Sequence, residues 1–134
     1  SILTGGPGTG KTSTLNVILR ALKEVRAKVV MGAPTGKAAK RMRETTGHEA
    51  STVARLIGMG AGPGEEREID CDILIIDESS MVDITMLDRV LKCLKTGAAI
   101  LFVGDVDQLP SVGAGQVLAD MIDSGTIPTT RLTK

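Results

Sequence analysis

The chain has 134 residues, and its 16 basic side chains balance 16 acidic ones, so whole-chain charge gives no sign of a nucleic-acid partner. At this length one domain buries about two-thirds of the surface its unfolded form exposes, and needs no metal or disulfide staple. Phe102 is the lone aromatic residue, which excludes a platform of aromatic side chains for stacked bases.

The first predicted strand is the apolar run at residues 2–4, and it leads straight into Gly5-Gly6-Pro7-Gly8-Thr9-Gly10-Lys11-Thr12. That string fits the phosphate-cradling pattern GxxxxGK[ST]. Glycines let successive backbone N–H groups turn inward, and the following helix offers its positive N-terminus to phosphates. Gly6, Pro7, Gly8, Thr9, Gly10, Lys11, Thr12 and Ser13 are therefore the expected nucleotide contacts. Lys11 would reach the β- and γ-phosphates and the Thr12 hydroxyl would bind Mg2+. A ligand-free glycine turn is the bland alternative, and eight matching positions between a strand and a helix argue against it.

Residues 11 to about 26 read as a helix whose Leu15, Val17, Ile18, Leu19, Leu22 and Val25 make a broad apolar face. A second strand is expected at residues 28–31, then a Pro34-Thr35-Gly36 turn and a short basic helix at 37–44. Lys37, Lys40, Arg41 and Arg43 crowd this helix. Its N-terminus, with Pro34, Thr35, Gly36 and Lys37, would suit a phosphodiester, since such contacts position without reading sequence. From charge alone, a solvated basic face is the better reading.

Residues 52–57 are expected to form a short helix capped by Ser51 or Thr52, with a glycine-rich loop at 58–64. An acidic cluster follows at Glu65, Glu66, Glu68, Asp70 and Asp72, and His48, the sole histidine, reads as a surface loop residue. The unbroken apolar run at residues 73–76 predicts a strand buried on both faces, with Asp77 and Glu78 at its C-terminal end. An aspartate there can hold the hydration shell of Mg2+, and an adjacent glutamate can deprotonate the attacking water. Met86, Leu87, Val90, Leu91 and Leu94 recur at helical spacing, and residues 98–103 form the next strand. Gly104-Asp105-Val106-Asp107-Gln108-Leu109-Pro110 follows, where Gln108 could touch the γ-phosphate and sense its loss; the same composition also makes a simple turn. A helix at 113 to about 124 and a strand at 128–132 complete the series.

Strands alternating with helices imply an α/β protein: a P-loop NTPase with a doubly wound parallel sheet and helices on both faces. Ligands in that architecture bind at the carboxyl ends of the strands, where Gly5, Pro34, Asp77 and Gly104 all fall. Cys71 and Cys93 lack CxxC spacing and histidine neighbours, so core thiols in a reducing, cytoplasmic setting are expected. No apolar run suggests a leader or a membrane span.

The strings ILTGGPGTGKT, APTGKAAKRM, ILIIDESSM and VGDVDQLPSVGAGQVL, in that order, resemble motifs I, Ia, II and III of superfamily 1 helicases of the RecD-like branch, the exodeoxyribonuclease V alpha subunit family. Together they cover nearly the whole chain, and their combination is far more specific than any one of them. The resemblance implies a RecA-like fold over residues 1–134, a single ATP-binding domain of a longer motor that moves 5′ to 3′ on single-stranded DNA. It implies ATP and Mg2+ as cofactors, with Lys11, Thr12, Asp77, Glu78 and Gln108 at the nucleotide. It further implies that Pro34, Thr35, Gly36, Lys37 and Thr52 lie along DNA, with other subunits of a recombination or repair complex as further partners.

Ser51-Thr52-Val53-Ala54-Arg55-Leu56 resembles the family's motif Ib, with Ala54 where histidine is usual; Ser79 stands where alanine is common and could add a hydrogen bond. The family's adenine-reading glutamine is expected before Ser1, and motifs IV to VI, with the arginine finger of a second RecA-like domain, after Lys134. The stretch by itself is thus expected to hydrolyse ATP barely and to unwind nothing. Two rival readings share the phosphate loop. A nucleotide switch of the GTPase kind would need an NKxD-like string, which is missing, and a small-molecule kinase would need an Arg-rich lid, whereas the basic residues here sit on one helix.

Overall fold

Strand–helix alternation resolves into one sheet whose central apolar runs are buried on both sides. A computed structural model describes residues 1–5, 10–58, 67–104 and 117–132. In chain order the elements are β1 (Ile2–Gly5), α1 (Lys11–Glu24), β2 (Val29–Ala33), α2 (Gly36–Thr46), β3 (Ser51–Thr52), α3 (Val53–Leu56), β4 (Ile73–Ile76), a 3-10 turn (Ser79–Met81), α4 (Ile84–Cys93), β5 (Ala99–Gly104), α5 (Val117–Asp123) and β6 (Thr129–Leu132). The six strands lie in the order β3-β2-β4-β5-β1-β6, and every pairing is parallel.

Period-two alternation splits the core in two. Ile2, Leu74, Ile76 and Phe102 point to one face, where Val53, Leu87, Val90 and Leu118 from α3, α4 and α5 cover them. Leu3, Ile75, Leu101 and Val103 point to the other, against Leu15 and Leu19 of α1 and Met42 of α2. Helices therefore cover both faces, as the apolar runs require. Cys71 and Cys93 form no disulfide and are buried in the first cluster, and burial pushes the Cys71 thiol up. Among the described residues no helix is long and apolar enough to cross a membrane.

Four details depart from the expectations. The apolar face of α1 is narrower: Leu15, Ile18, Leu19 and Leu22 follow the i, i+3, i+4, i+7 spacing and pack inward, whereas Val17 and Val25 fall off that stripe and face solvent. Leu91 is likewise exposed, because it stands one residue, about 100° of helix, past buried Val90. Helix α1 stops at Glu24, and Arg26 turns left-handed at φ 57° while the Ala27 N–H donates to the Leu22 carbonyl at 3.0 Å. Ser51 and Thr52 form an edge strand before the expected short helix begins, pairing Gly32 with Ser51 and Ala33 with Thr52. The predicted loop at 58–64 lies outside the described residues from 59 onward, as do Glu65, Glu66 and the first four residues of the helix expected from 113.

Candidate nucleotide site and DNA edge

Because all six strands run parallel, every strand-end loop opens on one edge of the sheet. The register pairs Thr4 with Gly104, Ile76 with Phe102 and Gly32 with Ile76, so the ends of β1, β5, β4 and β2 stand in one row. The expected phosphate residues Gly6, Pro7, Gly8 and Thr9 lie outside the described residues, as does Gln108. What flanks the loop is described. Gly10 adopts φ 84°, a left-handed turn that favours glycine, and α1 starts at Lys11 with Thr12 and Ser13 in its exposed first turn. That turn holds no acidic residue, so the positive end of the helix is not neutralised by its own side chains. The Lys11 ammonium folds back to donate to the Gly5 carbonyl at the end of β1. It therefore stands at the mouth of the loop.

Asp77 continues β4, anchored by its N–H to the Gly32 carbonyl at 3.0 Å. Its Oδ1 accepts the Glu78 N–H at 2.8 Å. Burial pushes the Asp77 carboxyl above the ordinary range; the Glu78 N–H and the charges of Lys11 and Arg41 pull it back only in part. A half-buried carboxylate facing a lysine charge is a hard, electron-rich oxygen donor. Together with the Thr12 hydroxyl it offers the oxygen chemistry that Mg2+ prefers. Among the described residues no three acidic, histidine or cysteine side chains cluster.

Glu78 sits at φ 52°, left-handed for a residue with a Cβ, a conformation that costs on the order of 1 kcal/mol or more. The turn that follows holds it there. Ser79 is buried and its hydroxyl donates to the Ile76 carbonyl at 2.7 Å, the added hydrogen bond expected at this position. Gly104 lets β5 approach that turn: a Cβ there would meet the Ser79 and Ser80 nitrogens at 3.1 and 3.2 Å and Leu118 Cδ2 at 2.9 Å. A Cβ at this position would need the backbone of the turn to give by a few tenths of an ångström. One contact was not legible in the sequence: Arg41 Nη1 of α2 lies 4.0 Å from Glu78 Oε1.

The expected DNA residues gather beside the acidic pair. Thr35 caps α2, its hydroxyl oxygen accepting the Ala38 N–H at 3.1 Å, so the hydroxyl hydrogen remains for an outside acceptor. Gly36 and Lys37 open the helix, exposed, again with no acidic residue in the first turn. Thr52 caps α3 by accepting the Arg55 N–H at 3.2 Å, and its pairing with Ala33 brings it next to Pro34. Edge strand β3 thereby joins two sequence-distant groups on one rim. His48 is exposed, as expected of a loop residue.

An AAA domain family model matches residues 1–134. The chain belongs to that family. Family membership makes it a nucleotide-binding domain. Among curated relatives it is 41% identical over 136 residues to the ATP-dependent RecD2 DNA helicase of Deinococcus radiodurans, covering 99% of this chain and 19% of that protein. It is 36% identical over 156 residues to the RecBCD enzyme subunit RecD of Mycobacterium tuberculosis strain H37Rv, covering 95% of this chain and 27% of that one. The chain thus spans roughly a fifth to a quarter of the length of these relatives. Among solved structures the Pif1 helicase from Candida albicans superimposes with a TM-score of 0.73 at 27% identity, over 99% of this chain and 36% of that one. Pif1 of a Bacteroides species, in complex with ADP-AlF4, gives 0.71 at 25% identity over 99% and 37%. The RecD-like resemblance of the motifs and the RecA-like α/β fold are both borne out by these likenesses.

Proposed function

We propose that this chain is the first RecA-like motor domain of a longer RecD-like helicase, which binds Mg-ATP and couples its hydrolysis to 5′ to 3′ movement along single-stranded DNA. The observation that carries the reading is the convergence of Lys11, the Asp77–Glu78 pair and the Thr35–Lys37–Thr52 rim on one edge of the sheet. A phosphate-binding group beside a rim of phosphate-seeking groups on that same edge is what a DNA-coupled NTPase needs.

Each residue then has a distinct task. Lys11 exchanges its Gly5 carbonyl for phosphate oxygens and stabilises charge on the transferring group. Thr12 and Asp77 hold Mg2+, which when bound neutralises charge on the phosphates. Glu78 orients the attacking water and accepts its proton, and Gln108 relays the loss of γ-phosphate to the moving parts. A second RecA-like domain closes the site and brings an arginine finger, a group that contributes roughly 10³ to 10⁵ in rate in phosphoryl-transfer enzymes.

Pro34, Thr35, Gly36, Lys37 and Thr52 track the DNA backbone, positioning it without reading bases. Fluorescence anisotropy of the full-length protein with a labelled single-stranded oligonucleotide, at low and high salt, tests this rim. Replacing Thr35 and Lys37 with alanine is expected to weaken binding and to lower the slope of log affinity against log salt by about one, the share of one lost lysine–phosphate contact. Unchanged affinity and slope in that variant would remove the DNA role from α2 and leave a nucleotide switch as the better account.

A further inference from the structure

Arg43 has no task in the scheme above, yet it joins the two halves of the rim. Its side chain crosses from the last turn of α2 to the residue before β3, where Nη1 donates to the Ala50 carbonyl at 2.6 Å. Its own carbonyl accepts the Gly47 N–H at 2.9 Å and so closes the left-handed cap of α2. One residue thereby holds both ends of the connection between α2 and β3. Ala50 is buried in the same core cluster as Met42, and is anchored through its side chain and its carbonyl alike. Strand β3 needs that anchor. It has two residues at the edge of the sheet, below the usual strand length of about three to ten, and joins β2 through the Gly32–Ser51 and Ala33–Thr52 pairings. Thr52, the rim residue, is the last of this strand and the cap of α3.

We propose that Arg43 is a positioning residue for the DNA rim: by tying the Ala50 carbonyl to α2 it holds the Thr52 hydroxyl at a fixed spacing from Thr35 and Lys37, so that both groups meet the backbone of one strand. This inference rests on the motor reading and deepens it, by naming what keeps the two halves of the rim in place. A guanidinium suits the tie, because it stays charged and its charge strengthens the hydrogen bond to a carbonyl. Arg43 acts through Thr52 and touches no phosphate itself. Its side chain is otherwise exposed, so alanine there opens no cavity in the core.

Affinity of the full-length protein for a labelled single-stranded oligonucleotide, measured across a salt series, tests it in wild type, Arg43→Ala, Arg43→Lys, Thr52→Val and the Arg43→Ala/Thr52→Val double variant. In Arg43→Ala the Kd is expected to rise about fivefold, the equivalent of one hydrogen bond. The slope of log affinity against log salt holds, because no phosphate contact is lost. DNA-free ATP turnover and the KM for ATP hold as well. Arg43→Lys, which keeps a charged donor, is expected to return most of the affinity. Thr52→Val also weakens binding, and adding Arg43→Ala to it costs nothing more. Unchanged affinity in Arg43→Ala or in Thr52→Val overturns the inference. So does a slope lowered by about one, which would make Arg43 a phosphate ligand, and so do losses that multiply in the double variant or extend to DNA-free turnover. Failure of the motor reading shows elsewhere, as a wild-type protein that binds no oligonucleotide at any salt, and that result overturns both.

Discussion

Replacing Lys11 with alanine is expected to lower the ATP turnover of the full-length protein by about 10² to 10³, the effect of removing one preorganised positive donor from a developing charge. The ammonium stands where β1 ends and α1 begins, donating to the Gly5 carbonyl, and its charge reaches Asp77. None of the buried side chains of either core cluster depends on it. Loss of the Gly5 hydrogen bond costs about 1 kcal/mol of stability, so circular dichroism and the denaturation midpoint change little. A folded but inactive variant is the expected outcome. Undiminished turnover would remove Lys11 from the reaction.

Glu78→Gln separates holding the nucleotide from splitting it. The amide keeps the size and hydrogen-bonding reach of the carboxylate but cannot take the proton from water, so kcat is expected to fall by roughly 10² to 10⁴. Nucleotide affinity, set by the loop, Lys11 and the metal residues, should stay close to wild type. Single-turnover kinetics with nucleotide-binding titrations read both quantities. A matching loss of affinity and rate would instead make Glu78 a binding residue.

Much of this architecture could be read from the chain, because its central strands are short apolar runs buried on both faces and its phosphate loop has a fixed spacing. Leu74, Ile75 and Ile76 lie between two helix layers, which is why their run is unbroken. The breadth of α1 was overread: Val17 and Val25 raised the apolar count without lying on the buried stripe, and Leu91 did the same on α4. Strand β3 left almost no trace, since two residues with a Thr52 cap look like the start of a helix, and only the Gly32–Ser51 and Ala33–Thr52 pairings define it. Of the site, Asp77 and Thr35 were legible by position at strand and helix ends. The Arg41–Glu78 contact was not, because it joins residues distant in sequence and neither identity nor spacing marks it. Basic residues on a helix read as a solvated face until the fold sets one of them against a carboxylate.

The central claim is that nucleotide chemistry at the carboxyl edge of the sheet is coupled to DNA on the neighbouring rim of that same edge. Steady-state ATP turnover of the full-length protein, measured with increasing single-stranded oligonucleotide at constant salt, tests that coupling most directly. The account predicts turnover that climbs to saturation with DNA and is lowered by about 10² to 10³ in Lys11→Ala at every DNA concentration. A nucleotide-hydrolysing protein whose rate is the same with and without DNA would contradict it.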